Sequence, residues 1–244
     1  MFEARIREGV LRVRREGTAW LSSGWNGGRS EGPAAYNVSV PEGWHHEDVA
    51  AYVADRRERA GFAEPGPTLL TGVDLEHLRG ARRGSVVAYA TAGVSNPAAL
   101  PPEPSGNPEA LPGESPGGDQ GAGPAGTVNL ILGTTRSLEK GGLANLLATV
   151  VEAKTATALA EAGVPGTTTD AAVVACDPAG EPTAYAGSAT SVGANARACV
   201  REAVGASLRS RYPDRAYPAS VAEAEHGVRT NRRAAVFDPR SGRE

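Results

Sequence analysis

Hydrophobic positions along the chain fall into short runs and periodic stretches that predict strands and helices in a regular order. The clearest series lies between Gly126 and Cys176. The apolar run over 127–132 predicts a strand, the spacing of apolar positions over 143–162 predicts a helix, and the apolar run over 171–176 predicts a second strand. These three elements are the most specific structural prediction in the sequence.

Shorter elements continue the pattern on both sides of this series. The predicted elements are strands over 6–14, 19–23 and 34–40, a helix over 48–60, strands over 68–73 and 85–92, a strand over 183–187, and a helix over 194–211. A tight turn at 15–17 is expected to join the first two strands, and a short helix capped by Asp74 is expected before the strand over 85–92. This order predicts the α+β class, as a single domain in which helices cover a mixed β-sheet.

A segment rich in proline and glycine, residues 97–125, contains almost no large apolar side chains. Such a segment cannot bury enough surface to become ordered, so it predicts a disordered insertion within one domain. A domain boundary at this point is the alternative. Residues 216–244 show weak periodicity and predict a weakly structured tail. The expected organisation is therefore one domain over 1–215, with an insertion at about 97–125, followed by the tail.

Composition narrows the classes of function. The 244 residues are 40% hydrophobic and carry a formal net charge of −3, which allows a sizeable core and provides no basic field for nucleic acid. No apolar run is long enough to predict a membrane span. Cys176 and Cys199 form no CxxC pair and are interpreted as buried hydrophobic residues in a reducing compartment. We therefore predict a cytoplasmic protein without nucleic-acid or membrane partners; the sequence leaves a homo-oligomer open.

Residue spacing excludes several kinds of site. The four histidines form neither an HExxH nor an HxH motif, and no cysteine pair offers metal ligands, so no metal site is predicted. The chain also lacks a GxSxG motif, a P-loop and a GxGxxG motif. These absences argue against the common α/β serine hydrolases, nucleotide hydrolases and dinucleotide enzymes.

Lys154 occupies an unusual position on the predicted central helix. The chain contains only two lysines, and on a helical wheel Lys154 falls in the middle of the apolar arc. Its stem could lie along apolar surface with the ammonium in water. Alternatively, Asp170 or Glu152 holds the ammonium at a site, because a buried charge must be paired. On a regular helix Glu152 points about 160° away from Lys154, so both reach one site only through a long lysine stem or a distortion.

Polar residues collect near the predicted strand ends. Asn26-Gly27-Gly28 favours a turn with positive φ, which is either an ordinary hairpin turn or a loop that binds a polar ligand through backbone amides. Further candidates for substrate binding are Asn37, Thr91, Ser95, Asn96, Asn129, Thr167 and Thr168. The candidate catalytic residues are Asp170, Lys154, Glu152 and Thr169. These residue types leave two chemistries open, a carboxylate that activates water or a threonine nucleophile, with amides that stabilise an oxyanion.

Five segments in order resemble the adenosylcobinamide amidohydrolase family of corrinoid-remodelling enzymes. They are SSGWNGG with YNVSVP over 22–41, TAGVSNP over 91–97, GTVNLILGTT over 126–135, EAKTATAL over 152–159 and GTTTDAAVVA over 166–175. The resemblance implies hydrolysis of the amide between a corrin-ring propionate and aminopropanol in adenosylcobinamide, giving adenosylcobyric acid for cobalamin salvage. It implies a corrinoid substrate that carries its own cobalt, and no separate cofactor.

For this reaction, each candidate residue can be given a hypothetical role. Asp170 or Glu152 would act as general base, and Lys154 would pair with one of them or polarise the carbonyl. Thr169, Asn129 or Asn96 would help to hold the oxyanion, and a threonine nucleophile is the mechanistic alternative. Two other functions stay open at this point: a corrinoid-binding protein without turnover, and an amidohydrolase that acts on another small amide. A fully solvated Lys154 would favour the binding protein.

Overall fold

The computed structural model describes residues 1–41, 44, 48–104, 126–139, 141–214, 217–218, 221, 224 and 227–239. The strands of this part of the chain are β1 (Glu3–Arg7), β2 (Val10–Ser22), β3 (Gly28–Ser39), β4 (Thr68–Thr71), β5 (Arg79–Arg83), β6 (Val86–Ala92), β7 (Ala98–Ala99), β8 (Val128–Thr134), β9 (Ser137–Leu138), β10 (Ala171–Cys176), β11 (Pro182–Thr183) and β12 (Val228–Arg229). The helices are α1 (Val49–Arg59), α2 (Gly142–Ala162) and α3 (Ser191–Arg211).

Eight strands form one mixed sheet in the order β4, β3, β2, β10, β8, β6 and β5, with β1 added beside β2. β8 is parallel to its neighbour β10, and β3 is parallel to β4, whereas the other pairs in this sheet are antiparallel. The predicted α+β class with a mixed sheet is confirmed. Because α2 connects the parallel strands β8 and β10, the strand–helix–strand series of the central sequence is confirmed as well.

The sheet separates two apolar clusters. On one side, Leu146 of α2 and Leu208 of α3 pack on sheet residues such as Leu130. Successive side chains of a strand point to opposite faces, so Ile131 joins Trp20 in the cluster on the other side. The sheet curves on this side, since β8 and β4 are not neighbours in the strand order and yet the Asn129 side-chain amide on β8 donates to the Leu70 carbonyl on β4 at 2.8 Å.

The first hairpin turns earlier in the chain than the sequence predicts. β1 pairs with β2 across Glu8 and Gly9, whose φ angles are 47° and 68°. Two consecutive left-handed residues suit a two-residue hairpin turn. The turn predicted at 15–17 is wrong, since those residues lie within β2, where the register against β3 shifts between Arg14 and Thr18. A glycine with positive φ serves a bulge as well as a turn, so Gly17 gives the same sequence signal in both cases.

The helix predicted after Asp74 is also shorter than expected. Only Leu75–His77 forms a 3₁₀ turn, capped by the Asp74 side chain, and Arg79–Arg83 pairs with β6 as strand β5. The arginines of that strand lie at the edge of the sheet, where charged side chains discourage pairing with another chain.

The start of the predicted insertion meets the predicted tail. Ala98–Ala99 pairs in parallel with Val228–Arg229, and Pro97 forms an isolated bridge with Thr167. Residues 105–125, which make up most of the predicted insertion, lie outside the described residues. The pairings of residues 97–99 bring the tail next to the turn that precedes β10.

Candidate functional site

Asp170 ends the turn that leads into β10, and four donors surround its carboxylate. Oδ1 accepts hydrogen bonds from the Val128 N–H at 2.8 Å and from the Thr167 hydroxyl at 2.5 Å. Oδ2 accepts from the Thr167 N–H at 3.0 Å and from the Lys154 ammonium. A carboxylate offers about four acceptor positions. Asp170 is therefore saturated, and its geometry suits holding Lys154 and the turn better than removing a proton from water.

Lys154 reaches this carboxylate from the middle of α2. The helix buries Ala153 and Thr157, and Lys154 lies at the border of that buried face. Its side chain is 11% exposed and the Asp170 side chain 12%, so the ammonium does not simply extend into water. Gly166 permits this approach, because a Cβ at that position would overlap with the carboxylate and lie 2.6 Å from Lys154 Nζ. An ammonium has three donors, so further N–H bonds remain beside the one that Asp170 accepts.

The three threonines between Gly166 and Asp170 have different surroundings. Thr167 is buried and donates its hydroxyl to Asp170. Thr168 is half-buried, and its hydroxyl oxygen accepts from the Asn96 side-chain amide at 2.6 Å. Thr169 is exposed, and among the described residues no partner contacts its hydroxyl. Thr169 is thus the threonine whose side chain a substrate can reach.

Asn96 supports this turn through two hydrogen bonds, and Ser95 is its neighbour in the chain. Asn96 is fully buried, and its backbone carbonyl accepts from the Thr168 N–H at 3.3 Å. Within the described part of the chain, Asn96 Oδ1 and Ser95 Oγ are buried and lack a hydrogen-bond partner. Both lie against Gly126, since a Cβ there would be 2.5 Å from Ser95 Oγ and 3.0 Å from Asn96 Oδ1. Of these two predicted binding residues, Asn96 is therefore bonded to the turn, and Ser95 lies beside Gly126.

The loop over 22–28 lies beside the other end of the turn. The Ser23 N–H donates to the Ala172 carbonyl at 2.9 Å, and the Ala172 N–H donates to Ser23 Oγ at 3.0 Å. The predicted positive-φ turn is confirmed, with φ 47° at Asn26 and 105° at Gly28. Asn26, Gly27 and Gly28 are all exposed, as a ligand-binding loop requires. Ser23, which anchors this loop, is a site-forming residue that our sequence interpretation did not select, although it stands within the SSGWNGG segment.

Asn37, Thr91 and Asn129 lie inside the molecule, at 2%, 0% and 1% exposure. The Asn129 amide donates to Asn37 Oδ1 at 3.1 Å and to the Leu70 carbonyl at 2.8 Å. The Asn37 amide donates to the Thr91 hydroxyl at 3.0 Å. Each of these predicted binding residues already has partners within the protein, and together they join strands β3, β4, β6 and β8.

Thr127 links this internal network to the turn above it. Its hydroxyl lies 3.1 Å from Asn129 Oδ1 and 3.0 Å from the Thr169 carbonyl. Sequence reasoning did not select Thr127, because a threonine at the start of an apolar strand gives no separate signal. The network therefore fixes the backbone beneath Thr169.

Glu152 does not join the other candidate residues. Its side chain is 63% exposed and pairs with Arg197 of α3. The opposed directions of Glu152 and Lys154 that the helical wheel predicts place the two residues on different surfaces of α2. The structure thus brings together Asp170, Lys154, Thr167, Thr168 and Asn96, with the loop over 22–28 beside them, and leaves Glu152 apart.

The described residues contain no cluster of three or more His, Cys, Asp or Glu side chains that could hold a metal ion. None of the described helices is both long and apolar enough to cross a membrane. The prediction that the protein binds no cofactor of its own stays a prediction, which metal removal tests below.

The two cysteines are unpaired and buried, and burial raises the pKa of the Cys176 and Cys199 thiols. A raised pKa keeps both thiols protonated near neutral pH, and the thiolate is the reactive form. We expect iodoacetamide at about pH 7.5 to leave the native protein unmodified and active, and to alkylate both cysteines after denaturation. Intact-mass measurement checks this, and rapid inactivation linked to one labelled cysteine would contradict it.

Comparison with known proteins agrees with the resemblance of the five segments. A model of the adenosylcobinamide amidohydrolase family matches residues 2–216. A protein of Halobacterium salinarum named adenosylcobinamide amidohydrolase is 54% identical over 241 residues, which cover 98% of this chain and 100% of that protein. A protein of the same name from Methanosarcina mazei is 29% identical over 217 residues, covering 84% of this chain and 97% of that protein. No solved structure matches the chain.

Proposed function

The chain belongs to the adenosylcobinamide amidohydrolase family, and on that premise we propose that it hydrolyses the amide between a corrin-ring propionate and aminopropanol in adenosylcobinamide. The products are adenosylcobyric acid and aminopropanol. Water adds its oxygen to the carbonyl carbon, the carbon–nitrogen bond breaks, and the departing amine takes up a proton. Adenosylcobyric acid can then be used again in cobalamin synthesis.

The observation that carries this proposal is the shielded ammonium of Lys154. Hydrolysis of an amide passes through a tetrahedral intermediate with negative charge on the former carbonyl oxygen, and fixed donors aimed at that oxygen lower the barrier. Lys154 is 11% exposed, is held in place by Asp170, and retains N–H donors for a substrate. We assign it to the carbonyl oxygen of the scissile amide. Electrostatic stabilisation is strong in such a site because little water surrounds the charge.

The surroundings of the carboxylates decide the roles of the acidic candidates. Asp170 already accepts four hydrogen bonds, so it acts through Lys154 as a positioning residue. Glu152 is exposed and paired with Arg197, so it has no part in the reaction. The hydroxyl of the exposed Thr169, which adjoins Asp170, is assigned as the second protein group at the reacting amide, beside Lys154. It either orients the attacking water or attacks the carbonyl itself.

A direct assay tests the proposal and separates these two pathways. Purified protein is dialysed against a chelator and incubated with adenosylcobinamide, and both products are followed by mass spectrometry together with the intact protein mass. We expect both products, and we expect the chelator to leave the rate unchanged, because the scheme uses no protein-bound metal. A transient mass increase equal to the corrinoid acyl group, absent in Thr169→Ala, identifies threonine attack, whereas an unmodified chain identifies attack by water.

The same assay can refute the proposal. Tight binding of adenosylcobinamide without product would indicate a corrinoid-binding protein. Hydrolysis of small amides with no preference for the corrinoid would indicate an amidohydrolase of another substrate. An activity that disappears on chelation and returns with one added metal would contradict the metal-independent scheme.

We also propose a domain organisation, a cellular location and a binding partner for this family member. We propose that residues 1–215 act as one catalytic domain, since eight strands, the first β1 and the last β10, form one sheet and α3 packs against it. We also propose a cytoplasmic location, supported by two buried cysteines that form no disulfide. The proposed binding partner is a small-molecule corrinoid, and no nucleic-acid partner is proposed.

A further inference from the structure

Trp25 is an exposed aromatic residue that does not belong to the apolar core. Its side chain is 39% exposed, whereas Trp20 on the preceding strand is fully buried. In the ranges that the structure describes, no other ring and no cationic side chain packs on the Trp25 indole. Single exposed apolar residues are common on protein surfaces. A functional role for Trp25 therefore has to be argued from where the residue lies and from how firmly its loop is held.

The loop that presents Trp25 is fixed on both sides of the residue. Ser22 Oγ accepts the Gly24 N–H at 3.1 Å, and three hydrogen bonds join Ser23 to Ala172. On the other side, the backbone packs so closely that a Cβ on Gly27 would lie 2.5 Å from the Ser22 carbonyl oxygen. An aromatic ring on a preformed loop loses little conformational entropy when it binds a ligand.

Exposed apolar side chains also lie near the other end of the turn between Gly166 and Asp170. The Ala98 N–H donates to the Gly166 carbonyl, and the Val228 N–H donates to the Pro97 carbonyl, both at 2.9 Å. Leu100, next to β7, is 73% exposed, and Val228 on β12 is 49% exposed. The turn with Thr168 and Thr169 therefore lies between two apolar features. The loop that carries Trp25 is bonded to the start of β10, just after the turn, and the apolar side chains near β7 lie beside the end bonded to Ala98.

This arrangement fits the two chemical characters of a corrinoid. The corrin ring has broad apolar faces, and its rim carries amides that need hydrogen-bonding partners. Aromatic side chains bind flat rings by stacking, and a few polar groups then fix the orientation. We propose that Trp25 stacks on one face of the corrin ring and so places the aminopropanol-bearing arm over Lys154. This inference rests on the proposed function and adds a positioning residue that recognises the ring, not the scissile amide.

Steady-state kinetics with adenosylcobinamide tests the assignment. Trp25→Ala is expected to raise KM about tenfold and to change kcat by less than about twofold, because the ring contact is present in both the ground state and the transition state. Trp25→Phe, which keeps an aromatic ring, should retain most of the affinity of the wild-type protein. The matched control is Tyr185→Ala, which removes an aromatic side chain that is 73% exposed on the segment before α3 and should leave both constants unchanged.

Equilibrium dialysis with adenosylcobinamide provides a second measurement that does not need turnover. The proposal predicts about tenfold weaker binding by Trp25→Ala than by the wild-type protein. Equal affinities and equal KM values would overturn the role of Trp25 while leaving the proposed function intact. Wild-type binding without hydrolysis would refute the proposed function, and the affinities of the variants would still decide the role of Trp25. Absence of binding by the wild-type protein would overturn both.

Discussion

Replacement of Lys154 by methionine is expected to lower kcat for adenosylcobinamide by about 10²–10³-fold, with a much smaller change in KM. Methionine keeps a stem of similar length and removes the charged donor. The donor matters most in the transition state, where the carbonyl oxygen becomes negative, so its loss should fall mainly on kcat. Steady-state kinetics with the purified variant measures the effect. A melting curve is needed alongside, because the substitution leaves the Asp170 carboxylate, 12% exposed, without its cation.

Asp170→Asn tests whether the carboxylate acts through the lysine. Asparagine removes the negative charge and can no longer accept from every donor around Asp170. If the two residues act as a unit, Asp170→Asn lowers kcat by a similar factor, and the double variant is no slower than Lys154→Met alone. Multiplicative losses in the double variant would instead give Asp170 an independent role, such as the general base.

Glu152→Gln is the matched control on the same helix. Its carboxylate is 63% exposed and contacts Arg197, so the substitution should change neither kcat nor the melting temperature appreciably. A large loss of kcat in Glu152→Gln combined with full activity in Lys154→Met would refute the proposed site. This comparison decides between the two acids that the sequence offers as partners of Lys154.

The acid–lysine pair could be predicted from the sequence because it depends on local patterns. A lysine on the apolar arc of a helix needs a counter-ion, and the turn that closes the strand–helix–strand series ends in an acid, Asp170. The helical wheel also separates Glu152 from Lys154 correctly. What the pattern could not provide is the saturation of Asp170, since two of its donors come from the backbone of Val128 and Thr167.

The internal position of Asn37, Thr91 and Asn129 could not be predicted in the same way. A polar residue on a strand is equally consistent with a ligand site and with a buried network, and only the curvature of the sheet brings β4 to Asn129. The first hairpin shows the same limit, because Gly9 and Gly17 both have positive φ and the pairing of β2 with β3 decides which one makes the turn. Contacts between strands that are distant in sequence depend on the tertiary structure, which local sequence patterns do not specify.

Asn129→Ala is expected to lower the free energy of unfolding by about 3 kcal/mol. Asn37 Oδ1 and the Leu70 carbonyl would lose their donor, and Thr127 would lose one acceptor, all in a region with almost no access to water. Each buried polar group left without a partner costs about 1–3 kcal/mol, and the small cavity adds to that cost. Urea unfolding followed by circular dichroism measures the change.

Comparison with Asn26→Gly tests whether Asn129 binds the substrate or only stabilises the fold. Asn26 is exposed with φ 47°, and glycine tolerates that conformation, so stability should change little while KM rises if the loop binds the corrinoid. Asn129→Ala should show the reverse, with the fraction that remains folded keeping the KM of the wild-type protein. A stable Asn129→Ala with a raised KM would mean that substrate reaches the buried network, and Asn129 would then belong to the binding site and not to the framework beneath Thr169.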